Sequence, residues 1–578
     1  MIRFKTPSFV TACACAAFAP WVATAQAPAT PEAANARSTP SLQAPTALAE
    51  TIRDRIDRLR YEGLHDARGS HIVLGELVAK YYEAQQFQPA WQQKGRLDAL
   101  LAALADVRDD GLDPGDYHYD SLESYRLDLR IGKLTDEDRA DFELLATDSF
   151  MLALYHLYLG KVDPQQLSPQ WNFSERPLEL DSALARLAQR LAAGQIREAF
   201  DDVRPKHPWY QRGRERLREY RALAAAGGWP AIPDGPTLKP GMTDPRVATL
   251  RRRLTITKDF GTAMTVPSDV AVFDNDLAEA VKNFQARHGL PTDGSVGPGT
   301  RAAMNVPVSA RIDQMRVNLE RARWTLHELK GDFVLVDVAG FYVSYFRNEE
   351  PVWTSKVVVG RDERETPIFR SLITYVVLNP TWTIPPGILV KDKLPELKRN
   401  PGALQRMKIR VLDASGREVD PYAIDWNRYG PARLPPYQFR QDPGPDNALG
   451  LVKIMFPNPY LVYLHDSPAK SLYDLDQRTF SSGCIRVQKP LELARLVLDD
   501  PQWTPEAIQA VVDSKQTRTV SLKKPVPVLI LYWTAEPRAD GQVVFRRDIY
   551  GRDAATLAAL NGAFRTPAVA RPRPDTAQ

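Results

Sequence analysis

Cysteine is nearly missing from this chain: three occur in 578 residues, Cys13 and Cys15 near the amino terminus and Cys484 far from it. That scarcity excludes a disulfide framework. No Cys/His cluster has metal-site spacing, and HExxH, the P-loop and the dinucleotide fingerprint are all absent, so neither metal nor cofactor is expected. Charge of one sign is lacking too. Seventy-five Lys+Arg against 71 Asp+Glu leave a formal +4, with no basic block interleaved with aromatics, which argues against a nucleic-acid partner. No apolar run reaches the length a bilayer demands, so the mature chain is expected to carry no transmembrane span.

What is present begins with an export signal over 1–25. Arg3 and Lys5 supply the positive start, Phe9 to Val22 the apolar centre, and Ala23-Thr24-Ala25 a small-residue cleavage site. Val10-Thr11-Ala12-Cys13 looks like a lipoprotein box, but the apolar run continues well past Cys13, and lipid anchoring there is set aside. Residues 26–46 are rich in Pro, Ala and Thr, a composition that buries no core and suits a disordered linker. The expected location is the periplasm, and the mature chain then carries a single thiol.

The 578 residues, 44% of them hydrophobic, predict several globular domains. From 47 to 230 the apolar spacing is helical, as at Leu144, Met151, Leu154 and Tyr158. Asp109-Asp110-Gly111-Leu112-Asp113-Pro114 within it lacks the spaced oxygen ligands of a calcium loop and reads as a turn. After a Gly/Pro linker, 236–307 reads as three helices. The first has Asp244 as cap and Val247, Leu250 and Leu254 on one face; the second has Leu277, Val281 and Phe284, stopped by Gly289 and Pro291. From 330 to 560 the period changes to strands: 333–338, 341–345, 352–359, 372–378, 451–456, 460–465, 526–533 and 543–545. An insertion at about 382–444 is too long for an ordinary connection and reads as a lid subdomain, and 561–578 as a loose tail.

Cys484 lies in Phe480-Ser481-Ser482-Gly483-Cys484-Ile485-Arg486-Val487, a small polar turn before a helix-like run, whereas a buried structural cysteine sits more naturally among apolar residues. Nineteen residues upstream, His465 closes an apolar stretch. A free thiol is only a few per cent ionised at neutral pH, so this pair offers a nucleophile and the base to activate it. The helix beginning near Pro490 is a second source of thiolate stabilisation. Amide groups of Gly483 and Cys484 are candidates for an oxyanion hole. Tyr463 and Trp382 are candidates for substrate contact, weighed against core packing, and Arg486 for binding a carboxylate, weighed against an internal ion pair. Ser481 and Ser482 are expected to shape the turn.

Two stretches resemble known families. Phe284-Gln285 followed by His288-Gly289-Leu290-Pro291-Thr292-Asp293-Gly294-Ser295-Val296-Gly297 resembles the peptidoglycan-binding domain of wall-acting proteins, with His288 expected at a helix end and a spacer without ligand as the alternative. His465-Asp466-Ser467-Pro468, Arg478 and Ser481 to Val487 resemble the signature of the L,D-transpeptidases, as do Asn379 to Pro385 and Pro445 to Gly450. Most members carry histidine before the Gly-Cys pair; Ser482 stands there in this chain, as in the large Gram-negative branch with a helical N-terminal region, a peptidoglycan-binding domain and a capping insertion.

The resemblance implies an α+β multidomain protein: a helical scaffold, a three-helix peptidoglycan-binding domain and a mainly-β catalytic domain with an inserted lid. It implies an acyltransferase in which Cys484, with His465 and Gly483, attacks the diaminopimelate–D-alanine carbonyl of a tetrapeptide stem, releases D-alanine and passes the acyl group to the side-chain amine of a second stem. Ser482, Tyr463, Trp382 and Arg486 are the substrate-side residues, and a carbonyl of Asp466 or Ser467, or the Asp466 carboxylate, orients His465. Carbapenems act on such enzymes as stem mimics. Peptidoglycan stems are the expected partners, with penicillin-binding proteins or other wall-synthesis enzymes as candidates. A lipoprotein lysine or water as acceptor, a non-catalytic wall-binding scaffold and a cysteine peptidase are the alternatives.

Overall fold

A computed structural model of the chain describes residues 46–61, 66–169, 171–173, 176–260 and 269–564. The expected export signal, the box at Cys13, all but Thr46 of the linker and residues 565–578 of the tail lie outside the described residues.

The amino-terminal region is helical from Ala47 to Ala225, as its spacing predicts, with one short two-stranded pairing. Its longest helix, Asp136–Leu159, opens on a capping box in which Thr135 Oγ accepts the Asp138 N–H (3.1 Å) and the Asp138 carboxylate accepts the Thr135 N–H (3.1 Å). It ends at Gly160, whose φ of +101° and contact with Trp324 leave no room for a side chain. Phe142, Leu145, Phe150 and Leu157 of this helix are fully buried, and so is Glu143. Backbone N–H groups of Ala90 (2.7 Å) and Trp91 (3.1 Å), the Gln92 amide (2.8 Å) and the Tyr82 hydroxyl (2.9 Å) all donate to the Glu143 carboxylate, so the charge is solvated by protein.

Helices Arg246–Ile256, Asn275–Arg287 and Pro298–Met304 enclose a core of Val247, Leu250, Leu277, Val281, Phe284 and Met304. Pro245 holds the cap position of the first helix, and Asp244, the expected cap, stands one residue before it with Oδ1 accepting the Arg246 N–H (2.9 Å). His288 ends the second helix, buried, its ring stacked on Phe284 at 3.8 Å and its Nδ1 on the Phe284 carbonyl at 2.7 Å.

Helix Val308–Thr325 joins the helical region to the sheet. One side packs against helix Pro208–Ala225, and Leu319 and Ala322 share a core with Phe333, Leu335, Leu529 and Leu531 of the sheet. At its centre Arg323 is fully buried, paired with the equally buried Glu320 and donating to the Asp110 carbonyl and the Tyr210 hydroxyl, each at 2.8 Å. Glu320 also accepts the Val162 N–H at 2.7 Å.

Nine strands follow: β1 Phe333–Asp337, β2 Tyr342–Arg347, β3 Glu350–Gly360, β4 Phe369–Leu378, β5 Val452–Met455, β6 Leu464–His465, β7 Thr479–Ser481, β8 Ile485–Val487 and β9 Arg518–Leu531. They pair in the order β7-β3-β8-β6-β5-β4-β9-β1-β2, and β2 pairs again with β3, so the sheet closes on itself. One face carries Val334, Val336, Val343, Val357, Ile454, Leu464 and Ile485 into a core completed by Leu493, Ala494 and Val497 of helix Pro490–Leu498. Alternation sends their neighbours outward.

Two strand expectations change. Residues 460–463 form a loop: Asn458 Oδ1 accepts the N–H groups of Tyr460 (3.1 Å) and Val462 (3.0 Å), and Leu461 takes φ +58°, so side-chain hydrogen bonds replace a ladder. The strand expected at 526–533 begins at Arg518 and ends at Leu531, its charged first half paired with β4 across an irregularity between Ser521 and Val526. The insertion has a three-stranded sheet (Trp382–Thr383, Ile409–Leu412, Gln438–Gln441) and a core of Leu394, Leu397, Leu404, Val411, Trp426 and Phe439. Asn379 and Asn447 brace its two roots, Asn379 Nδ2 donating to the Val511 carbonyl (2.8 Å) and Asn447 Nδ2 to the Pro380 carbonyl (3.1 Å).

Replacing Arg323 by Met strips Glu320 of its buried cation and is expected to lower stability by on the order of 3 kcal/mol. A urea midpoint equal to wild type would contradict that reading.

Candidate active site

Two strands joined in parallel bring the cysteine region and the histidine together. β6 pairs with β8 in the register Leu464 with Ile485 and His465 with Arg486, and the Ile485 N–H donates to the Tyr463 carbonyl at 3.1 Å. Leu464 and Ile485 point into the core, so Tyr463, His465, Cys484 and Arg486 lie on the outer face. Lys453 joins them as the β5 partner of His465, with its ammonium 4.0 Å from the Tyr463 ring centre. The Tyr463 and His465 rings meet edge to face at 5.6 Å.

The turn before Cys484 is held by hydroxyls. Ser481 Oγ donates to the Cys484 carbonyl (2.5 Å) and accepts the Gly483 N–H (3.1 Å); Thr366 Oγ1 donates to the Gly483 carbonyl (2.9 Å). Gly483 has φ +108°, a conformation in which a side chain is strained. Its N–H is committed to Ser481, which corrects its expected place in an oxyanion hole. The Cys484 N–H has no acceptor among the described residues and is the donor left for that task.

His465 is buried, and its Nδ1 lies 2.5 Å from the Asp466 carbonyl, so Nδ1 carries the proton and Nε2 is the basic nitrogen. Of the three orienting groups considered, the Asp466 carbonyl takes this place. The Asp466 carboxylate is engaged elsewhere, accepting the Leu451 N–H (2.9 Å) and pairing with Lys470. Burial first, then Arg486, pushes the imidazole down to about 3, with the Asp466 carbonyl opposing and Lys453 adding to the fall. Burial also raises the Cys484 thiol, against the downward pull of the Tyr463 backbone and hydroxyl, Lys453 and Arg486. Thiol and imidazole are therefore both neutral at rest. The half-buried thiol donates to the Leu461 carbonyl at 3.6 Å, so its hydrogen must swing away before the imidazole can take it.

The other expected residues divide. Arg486 makes no ion pair among the described residues and its buried Nε has no partner, which removes the internal-pair alternative. Trp382 belongs to the insertion, paired with Gln441 and packed on that subdomain's core; nothing in the geometry brings it to Cys484. Ser482 has a partner that sequence did not reveal: Arg364 Nη1 donates to its hydroxyl at 2.9 Å while both Arg364 Nη atoms hold the Asp392 carboxylate at 2.6 Å. Asp392 lies in a π-turn of the insertion, Leu389–Lys393, so a bidentate pair ties the insertion to the turn before Cys484. The helix at Pro490 buries its apolar face in the core beneath the sheet, and the cations Lys453 and Arg486 supply positive field at Cys484.

Residues 331–528 match the family profile described as the L,D-transpeptidase catalytic domain. Residues 243–304 match one described as "Putative peptidoglycan binding domain", and 76–217 one described as a scaffold domain. A Haemophilus influenzae protein named "Putative L,D-transpeptidase" is 35% identical over 224 residues, 38% of this chain and 44% of that protein, so the match spans less than half of the relative. An L,D-transpeptidase structure from Xylanimonas cellulosilytica aligns over 52% of this chain and 99% of its own at 16% identity and a TM-score of 0.17. One from Mycobacterium smegmatis aligns over 35% and 58% at 11% identity, also with a TM-score of 0.17.

Two outcomes follow from this geometry. Because burial raises the thiol, iodoacetamide should alkylate Cys484 more slowly at neutral pH than free cysteine, with a rate still climbing above the free-thiol range of about 8.5; a plateau already reached at neutral pH would reveal a resting thiolate and contradict the electrostatics. Arg364→Ala should slow Cys484 acylation about tenfold or more by loosening the turn, and an unchanged rate constant in stopped-flow measurements would show that the contact with the insertion does not position it.

Proposed function

We propose that this chain, whose residues 331–528 are an L,D-transpeptidase catalytic domain, crosslinks peptidoglycan stems through a thioester on Cys484. The observation that carries the reading is the parallel register that pairs Leu464 with Ile485 and so supports His465, its Nδ1 on the Asp466 carbonyl, and Cys484 sharing one face of the sheet.

The steps use groups already in place. The carbonyl carbon of diaminopimelate in a tetrapeptide stem enters beside Cys484; His465 Nε2 takes the thiol proton as sulfur attacks, and the Cys484 N–H meets the developing oxyanion. A donor of that kind is typically worth about 3 kcal/mol. The imidazolium then protonates the departing amine, the C–N bond breaks, and D-alanine leaves. A side-chain amine of a second stem attacks the thioester, His465 accepts its proton, and the thiolate leaves and is reprotonated. Simultaneous attack and proton transfer suits a site where two neutral groups are cheaper to bury than an ion pair.

Arg486, with its unpartnered Nε on the outer face, suits a stem carboxylate, and Tyr463, beside both sulfur and imidazole, suits contact with the stem backbone. Gly483 acts through the left-handed turn that presents Cys484, and Ser482 through its bond to Arg364. No helix among the described residues is long and apolar enough to cross a membrane. The export-like residues 1–25 support a periplasmic reaction at the wall.

Walls from cells expressing wild type or Cys484→Ala, digested to muropeptides, provide the test. Diaminopimelate–diaminopimelate dimers should rise only with wild type; equal amounts in both would reject the assignment.

A further inference from the structure

A cleft of about 840 Å³ separates the three-helix unit from the sheet. Its one wall is the turn that includes His288, Pro291 and Thr292, within the stretch matching a peptidoglycan binding domain; its other wall is the outer face of β2 and β3, with Tyr342, Thr354 and Lys356. The three-helix unit is also tied to the 543–545 strand. Arg287, paired with Asp259, also donates to the Val543 carbonyl at 3.5 Å, and the His288 ring stacks toward Phe545 at 5.7 Å.

Strand register places this cleft and Cys484 on one surface. Tyr342 pairs with Lys356, and Val358 with Arg486, while the alternate residues Val343, Val357 and Val487 enter the core. Tyr342, Lys356, Arg486 and His465 therefore share the outer face. The short helix Lys470–Asp474 lies against this face: Lys470 pairs with Asp466, the residue after His465, and the Lys356 ammonium donates to the Tyr473 carbonyl at 3.1 Å.

The chemistry of the cleft suits a carbohydrate strand that carries acidic peptides. Tyr342, 41% exposed, has the Arg478 guanidinium over its ring at 5.7 Å and leaves aromatic surface for a sugar ring, with the hydroxyls of Ser344 and Thr354 also lining the cleft. Arg538 and Arg547 line the cleft and form no ion pair among the described residues, so they are available to carboxylates. The volume is of the size that buries a sugar with part of its peptide.

We propose that this cleft is a second substrate subsite, which binds the glycan of a glycan-linked stem while that strand's peptide reaches Cys484 along the same face. The inference rests on the transpeptidase reading and adds to it the distinction between a free stem and one still attached to its sugars.

The test compares an isolated tetrapeptide with a glycan-linked tetrapeptide as donors for the full chain and for Tyr342→Ala and Arg538→Glu. Either variant should raise KM for the glycan-linked donor about tenfold, the loss of roughly one stacking or charged contact, with kcat, the isolated tetrapeptide and carbapenem acylation of Cys484 unchanged. No change in that KM for either variant, or an equal rise for both donors, would overturn the proposal. Calorimetric titration of the glycan-linked tetrapeptide into Cys484→Ala and Cys484→Ala/Tyr342→Ala needs no turnover: weaker binding by the double variant supports the cleft, and equal binding overturns it. If wild-type Cys484 is not acylated by carbapenem or tetrapeptide, the catalytic reading falls, and this titration still decides the subsite.

Discussion

The parallel pairing of β6 with β8 is the constraint on which the site depends. Both strands are very short, Leu464–His465 and Ile485–Val487, yet Leu464 and Ile485 are each fully buried in the same core. A slip of one residue would exchange core and surface residues along the pair, placing Leu464 outside and His465 inside, so hydrophobic burial fixes the register that brings imidazole and thiol to one face. The same alternation presents Lys453 and Arg486 there, and the electrostatics of the site follow from packing rather than from any direct bond between His465 and Cys484.

That electrostatic state is a balance of opposed effects. Burial disfavours charge on both groups, while the two cations disfavour an imidazolium and favour a thiolate. The site thus resists a standing ion pair and stabilises negative charge once it forms on sulfur or on the substrate oxygen. Hydroxyls of Ser481 and Thr366 fix the turn, and the Arg364–Asp392 pair connects it to the insertion, so the position of the insertion and the placement of Cys484 are mechanically related.

Much of this was legible in the residues, for identifiable reasons. Cys484 stood out by scarcity and His465 by its place at the end of an apolar run, and both lie where chain-local patterns carry information. The helical region, the three-helix unit and the strand-rich region follow from their periods. Long-range polar pairs left no trace: Arg364 and Asp392 lie 28 residues apart with nothing local to join them, and Glu143 sits on a helix whose buried carboxylate is satisfied by a distant loop. Apolar pattern misled at 460–463, where the Asn458 side chain outcompetes a ladder, and glycine chemistry misled at Gly483, whose N–H is taken by the neighbouring Ser481.

The partnership of the two side chains is open to one direct measurement: single-turnover acylation by a tetrapeptide stem, followed by intact mass, in wild type and His465→Ala. The account predicts an adduct on Cys484 with loss of one D-alanine, formed about a hundredfold or more slowly without the imidazole. Equal rates in the two proteins, or an adduct mapped to any other residue, would contradict it.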